Sequence, residues 1–206
     1  MYSKFYNKYQ LARNLSWDII LKYNIASLPV DILPLCKKMG VKVYSYQTAS
    51  KLIDYLELSE NTKDNDGMAT MVNGKYVIFY DNEIEPFERR RFTVCHELGH
   101  ILLGHVDELS PRCRATRWNR NSEEPDEDEA AANIFASRLL APACVLNELD
   151  ISTVEDLTDL TGLSDIAASI RLNRLQELEK RNKFYLSPKE KEVHRQFEKF
   201  INNYQK

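Results

Sequence analysis

Between residues 8 and 23 apolar side chains recur at Leu11, Leu15, Ile19 and Ile20, with Tyr23 extending the same face, which is the spacing of an amphipathic helix. A short helix follows in LPVDILPLCKKMG, with Pro34 early in it and Gly40 placed to end it. The period then changes. VKVYSY (41–46) alternates and is rich in β-branched and aromatic residues, which predicts a strand. After a short helix around 49–57 and the polar loop SENTKDNDG, the segment GMATMVNGKYVIFY predicts a hairpin turning at Asn73-Gly74.

The central helix is predicted from Pro86 to about Leu103, with Gly104 at its end. Residues 106–122 are expected to be an irregular loop carrying Arg112, Arg114, Arg117 and Arg120. A second strong helix covers about 126–141; its acidic start suits the positive end of the helix dipole, and Pro142 stops it. The rest of the chain reads as helical, broken at Thr161-Gly162-Leu163-Ser164 and restarted by the capping box Ser187-Pro188-Lys189-Glu190. Helices around a small central sheet, with a helical C-terminal part, make the expected class α+β. The expected divisions are 1–25 (N-terminal helix), 26–150 (core), 151–181 (a helical pair packed on the core) and 182–206 (a C-terminal amphipathic helix).

At 206 residues the chain is long enough for one sizeable core with a helical appendage. A composition of 43% hydrophobic and 29% charged residues excludes wholesale disorder, and a net charge of −3 offers no global basic field to nucleic acid. No stretch approaches the roughly 18 uninterrupted apolar residues of a membrane span, and the first residues lack the apolar core of an export signal. Cys36, Cys95, Cys113 and Cys144 form no CxxC pair and are expected as free thiols, which makes the cytoplasm the expected location.

The segment RRFTVCHELGHILLGH (90–105) sets His96, Glu97, His100 and His105 into an otherwise apolar helix. Titratable groups beside a core need either buried hydrogen-bond partners or a metal. Residues i and i+4 share a helix face, about 5–6 Å apart at Cβ. His96 and His100 can therefore each place a ring nitrogen on one ion, at about 2.0–2.1 Å for zinc. Glu97 lies about 100° further round the helix, where it reaches a water on the ion rather than the ion itself. That arrangement serves hydrolysis: the ion polarises a carbonyl and acidifies water, while the glutamate carries the proton to the leaving amine.

Catalytic zinc typically takes three protein ligands, and two candidates for the third are present. His105 follows in HExxHxxxxH spacing with the glycine immediately before it, where capping the helix end or bonding a backbone carbonyl competes with ligation. The other is Glu129 in EDEAAANIFASRLLAP. Glu129 and Asn133 share a face, as a carboxylate ligand and a residue that orients a ligand would. Ala132, Phe135 and Ala136 place Glu129 on or near the buried side, whereas Glu123, Glu124, Asp126, Glu127 and Asp128 read as a solvated helix start.

RRFTVCHELGHILLGH followed by Glu129, Ala132, Asn133, Phe135, Ala136, Leu139, Leu140 and Pro142 in the pattern E-x-x-A-N-x-F-A-x-x-L-L-x-P resembles the ImmA/IrrE family of zinc metallopeptidases. LPVDILPLCKKMGVKVY and GKYVIFYDN are similar to it as well, so the resemblance covers roughly residues 25–180. It implies a zincin-like fold with a thermolysin-like site: His96, His100 and Glu129 on Zn2+, Glu97 as base, and Asn133 orienting a ligand. It also implies a protein substrate, since such proteins often act as anti-repressors that cut or inactivate a helix-turn-helix repressor. The strand KYVIFY (75–80), with Tyr76, Ile78 and Tyr80, is the edge to which an extended substrate segment is expected to add. Arg112 and Arg114, with Arg117 and Arg120, are expected to contribute charge to substrate recognition.

Two other readings stay open. A toxin-like peptidase acting on a different protein fits the same motifs. TVEDLTDLTGLSDIAASIRLNRLQELEK also has the form of a helix-turn-helix with Arg171 and Arg174 on its second helix, which suits a regulator binding DNA or a repressor. Against DNA contact, Asp165, Glu177 and Glu179 offset the basic residues, and Ile166, Ile170, Leu172 and Leu175 are expected to pack inward. In the tail, Val193, Phe197, Phe200 and Ile201 lie on or near one face, and His194 is expected at the surface.

Overall fold

The computed structural model describes residues 2–63, 65–106 and 126–204, with side chains from residue 7 onward. The loop bearing Arg112, Arg114, Arg117 and Arg120 lies outside the described residues. The chain forms two compact units: Met1–Lys8 with Asp31–Asn133, and Tyr9–Val30 with Ile134–Lys206. These divisions fall at positions that hydrophobic patterning did not single out.

The first unit begins with the start of α1 (Tyr2–Lys22) and continues through α2 (Ile32–Lys38), β1 (Lys42–Ser45), α3 (Ser50–Tyr55) and α4 (Ser59–Thr62). It then runs through β2 (Gly67–Val72), β3 (Lys75–Tyr80), α5 (Glu88–Leu102) and the first half of α6 (Glu127–Leu140). α4 is a single helical turn where polar composition predicts loop; it directly follows the buried Leu58. The hairpin turns at Asn73 and Gly74, both at positive φ (50° and 71°), the conformation that a two-residue type I′ turn requires and that Asn-Gly supplies. α5 begins two residues after Pro86 rather than at it.

The three strands run in the order β1-β3-β2, with β1 parallel and β2 antiparallel to β3. The expected edge strand is therefore the middle one. KYVIFY lies between β2, its hairpin partner, and the parallel β1, so both of its sides are occupied and no substrate segment can add there. Ile78 is fully buried, and Tyr76 and Tyr80 are half-buried. These three residues pair with Ala69, Met71 and Gly67 and share their face of the sheet. The opposite face carries Met68, Val77 and Phe79, which pack with Ala49, Ile53 and Leu58 to form a core cluster.

α5 crosses the first of these faces, in contact with β2 and β3. Gly67 sets how closely it can approach. A Cβ at that position would stand 2.5 Å from Thr93 Cγ2 and 3.2 Å from Glu97 Cγ, both on α5. A strand residue without a side chain marks a close approach of neighbouring structure, and here the neighbour is the turn carrying Glu97.

The second unit holds the remainder of α1, the second half of α6, α7 (Ala143–Glu148), α8 (Val154–Thr161), α9 (Asp165–Lys180) and α10 (Pro188–Tyr204). α1 starts six residues before the predicted position, and its buried stripe is Ala12, Ser16, Trp17, Ile19 and Ile20. Leu11, expected on that stripe, is 57% exposed because it is one position, about 100° of rotation, off the Ala12–Ser16 line. The Gln196 side chain of α10 donates to the carbonyls of Ile20 and Ile25 (2.9 and 2.6 Å), satisfying backbone at the end of α1. Thr153 caps α8 by accepting the Asp156 N–H, and the Glu190 carboxylate reaches back to the Leu186 N–H (3.2 Å) at the start of α10. Val193, Phe197 and Ile201 are buried.

α9 is rotated relative to expectation. Its inward face is Ala168, Arg171, Leu172 and Leu175, while Ile166 and Ile170 are 73% and 62% exposed. Arg171, a candidate for reading DNA, donates from Nε and Nη2 to the Ala141 carbonyl (2.8 and 2.5 Å) just past the end of α6. A cation at a helix C-terminus satisfies the carbonyl and complements the dipole, so Arg171 is committed to the fold. Arg174 donates to Tyr9 Oη (3.2 Å) and pairs with Glu177 (2.6 Å). The helical stretch Glu127–Glu148 is long and apolar enough to cross a bilayer, but 72% of that window is buried within the protein. Cys36, Cys95 and Cys144 are buried.

Gly67→Ala is expected to destabilise the protein by about 1–3 kcal/mol through overpacking. The measurement is a lower urea midpoint at unchanged slope. An unaltered midpoint would mean that α5 can lift off the sheet at little cost.

Candidate metal centre

α5 has buried nearly everything on its last two turns, including His96, Glu97 and His100 at 1–2% exposure. The helical repeat puts the two histidines on one face, with their Nε2 atoms 3.0 Å apart. Glu129, from the first turn of α6, meets both: Oε2 is 3.2 Å from His96 Nε2 and Oε1 is 3.2 Å from His100 Nε2. Asp126 fixes the start of α6, its Oδ1 accepting the N–H groups of Asp128 and Glu129 (2.9 and 3.3 Å) in the manner of an N-cap. One turn further along, Asn133 Oδ1 lies 2.9 Å from His96 Nδ1. An oxygen acceptor there requires His96 to carry its proton on Nδ1, which leaves Nε2 as a lone pair facing His100 and Glu129.

The donor set fits a divalent cation. Ligand atoms about 2.0–2.1 Å from one tetrahedral centre stand roughly 3.3 Å from one another, close to the 3.0–3.2 Å separations found. Two imidazoles and a carboxylate are also the borderline donors that first-row divalent ions prefer. The three residues are the group that could hold an ion among the described residues.

His105, the alternative third ligand, stands behind His100. Its Nδ1 is 3.0 Å from His100 Nδ1, on the side of that ring away from Glu129, and its Nε2 is 3.4 Å from Asp128 Oδ1. The same Asp128 Oδ1 is met by Lys8 Nζ at 2.8 Å. Asp128, expected to be solvated, and Lys8 therefore belong to the surroundings of the site; neither carried a sequence signal, since their roles depend on the approach of two distant segments. Cys95 is fully buried, and burial pushes its thiol well up, as expected of a packing residue.

Electrostatics couples the group. Burial pushes the His96 imidazole down, but the hydrogen-bonded Glu129 carboxylate, the Glu97 charge and Asn133 outweigh it, so the net shift is upward. Burial pushes Glu129 up, yet the hydrogen bonds and charges of His100 and His96 hold it well below the usual carboxylate range.

The profile of the peptidase family M78, IrrE N-terminal-like domain, matches residues 36–173. The chain is also 32% identical over 106 residues to a radiation response metalloprotease, IrrE, from Deinococcus deserti. That alignment covers 50% of this chain and 36% of the relative, so the chain spans about a third of the relative's length.

In the metal-free chain the raised His96 stabilises the fold fully below its ordinary value of 6.5, and this contribution is lost as pH rises through the raised value. The depressed Glu129 contributes above its ordinary 4.5 and is lost as pH falls. Both terms favour the metal-free fold between those two values, where a proton occupies an imidazole that a metal needs. The rise in Tm that a divalent ion gives over the EDTA-treated protein is therefore expected to grow from about pH 5.5 to about pH 8. A pH-independent rise in scanning calorimetry would show that the histidines are not the ligands.

Proposed function

The chain belongs to the peptidase M78 family of IrrE N-terminal-like domains, a metallopeptidase family, and on that premise we propose that it is a zinc-dependent endopeptidase with a thermolysin-like site. His96, His100 and Glu129 hold the ion, Glu97 is the general base, and Asn133 orients His96. The observation that carries this reading is the convergence of two i, i+4 imidazoles and a carboxylate from another helix, with a buried glutamate next in sequence to the first histidine. A helix packed on a small sheet and bearing HExxH, with the third ligand on a following helix, supports a zincin-like description of the first unit.

When bound, zinc supplies Lewis acidity to the scissile carbonyl and to the attacking water. Glu97 takes a proton from that water onto its carboxylate and returns it to the leaving amine. Burial serves this role, because a carboxylate screened from bulk water releases its proton to the amine rather than to solvent. Gly67 leaves room for Glu97 against the sheet. The Asn133 contact fixes the His96 tautomer, as partners of ligating histidines generally do.

For the biological role we propose an anti-repressor in the cytoplasm that cleaves or inactivates a helix-turn-helix transcriptional repressor. The family resemblance of the two linked motifs supports it, and the Deinococcus relative is a radiation response metalloprotease. Arg112 and Arg114 are proposed to supply charge complementarity to that substrate. DNA reading by α9 has less support, since Arg171 is engaged with α6.

Glu97→Gln is expected to retain the metal and the fold while lowering kcat about 100- to 10,000-fold against the repressor. Cleavage is read by mass spectrometry of the fragments and metal by elemental analysis. Undiminished cleavage by the metal-replete variant would remove Glu97 from the chemistry. A variant that no longer cuts but still lifts repression would show that the repressor is disarmed by binding alone.

A further inference from the structure

The end of α5 contains a second device directed at His100. Leu103 is the last residue of the helix turn, Gly104 follows at φ +75°, and two backbone bonds close the end: Gly104 N–H to the Ile101 carbonyl (3.1 Å) and His105 N–H to the His100 carbonyl (2.9 Å). That is the Schellman pattern, in which the second residue beyond the cap bonds back to the third residue from the helix end. Its geometry returns the chain over its own last turn, and an apolar contact between those two residues usually accompanies it. In this chain the two positions are His105 and His100. The contact is between imidazoles instead, Nδ1 to Nδ1 at 3.0 Å. The five-residue spacing of the third histidine is thus the spacing of a helix end, not of a ligand.

We infer that His105 is a positioning residue that accepts the Nδ1 proton of His100, fixing the tautomer and ring angle that aim His100 Nε2 at the metal, and that Asp128 and Lys8 hold His105 in that state. The proton assignments follow in sequence. One of two facing Nδ1 atoms must donate and the other accept. His100 Nε2 faces His96 Nε2 and Glu129; as a metal ligand it must present a lone pair there, so its proton is on Nδ1 and His105 Nδ1 is the acceptor. A neutral His105 then carries its proton on Nε2, 3.4 Å from Asp128 Oδ1. Asp128 is anchored by Lys8 at 2.8 Å and stands next to Glu129 in the chain. The start of α6 therefore supplies a ligand with one carboxylate and sets the adjacent one 3.4 Å from the imidazole behind another ligand. Asn133 does directly for His96 what His105 and Asp128 do in two steps for His100.

This inference rests on His96, His100 and Glu129 being the ligands, and the test separates the two. Zinc dissociation constants are measured at one pH by chelator competition for the full chain, His105→Leu and His105→Asn. Leucine keeps the apolar contact usual at this helix end but accepts no hydrogen bond, whereas asparagine places an oxygen near the position of Nδ1. The leucine variant is expected to bind zinc about 10- to 100-fold more weakly, and the asparagine variant to stay within about threefold of the parent. Equal losses in both variants, or a leucine variant that binds as tightly as the parent, would overturn the assignment. Long-range 1H–15N spectra of the zinc-loaded parent are expected to place the His105 proton on Nε2; a proton on Nδ1 would overturn it whatever the variants do. A parent chain that takes up no zinc would instead remove the ligand assignment beneath it.

Discussion

Three titratable side chains withdrawn from water on one helix are the constraint on which the first unit depends. His96, Glu97 and His100 have 1–2% of their surface exposed. Burying such groups without partners costs several kcal/mol apiece, a large part of the roughly 5–15 kcal/mol by which a domain is stable. The surrounding sequence meets that cost at specific points. Glu129 faces the two histidines, Asn133 and His105 take the outer edges of the rings, and Gly67 gives up its side chain so that α5 can sit on β2. The sheet is the floor that holds this helix, and its middle strand is paired on both sides.

α6 solves a complementary problem. Its first turn is acidic, with Glu127, Asp128 and Glu129 beside a dipole end that favours negative charge. A carboxylate kept ionised there costs less to bring against a buried site than one placed mid-helix. The second half of the same helix is apolar, with Phe135, Ala136, Leu139 and Leu140 fully buried. One element thus changes task along its length: charge placement at the start, core at the end. Its C-terminal carbonyl at Ala141 is then satisfied by Arg171, which explains why a basic residue faces inward on α9 while two isoleucines face out.

What the sequence reveals follows from how local each feature is. Asn73-Gly74 specifies its turn by backbone conformation alone, and the i, i+4 pair His96 and His100 is a fact about any helix. Glu129 and Asn133 were visible for the same reason, as a polar face interrupting an apolar stripe. Strand order was not legible, because periodicity identifies KYVIFY as a strand without saying what lies on either side of it. The stripe on α1 and the rotation of α9 were misplaced for a related reason. Leu11, Ile166 and Ile170 are apolar, but burial is decided by neighbours remote in sequence, and hydrophobicity alone does not locate those neighbours. Gly104 made the helix-end position of His105 legible in the sequence, whereas its side-chain contact with His100 was not, because that contact depends on how the chain turns back over the last turn.

The outer contacts also bear on why the centre suits a cation. Asn133 Oδ1 can only accept from His96, so that ring when neutral presents its lone pair at Nε2, and on the proposed reading the His105 contact does the same for His100. Those lone pairs and the Glu129 carboxylate are three acceptors within 3.0–3.2 Å of one another. One proton placed among them satisfies two at most and leaves the third facing a like dipole. A divalent ion at their common centre satisfies all three at once. On the proposed reading, the residues behind the rings therefore bear on whether the centre takes a metal or a proton as much as the ligands do. Loss of those residues would let the imidazoles re-tautomerise and turn a cation site into an ordinary buried hydrogen-bond cluster.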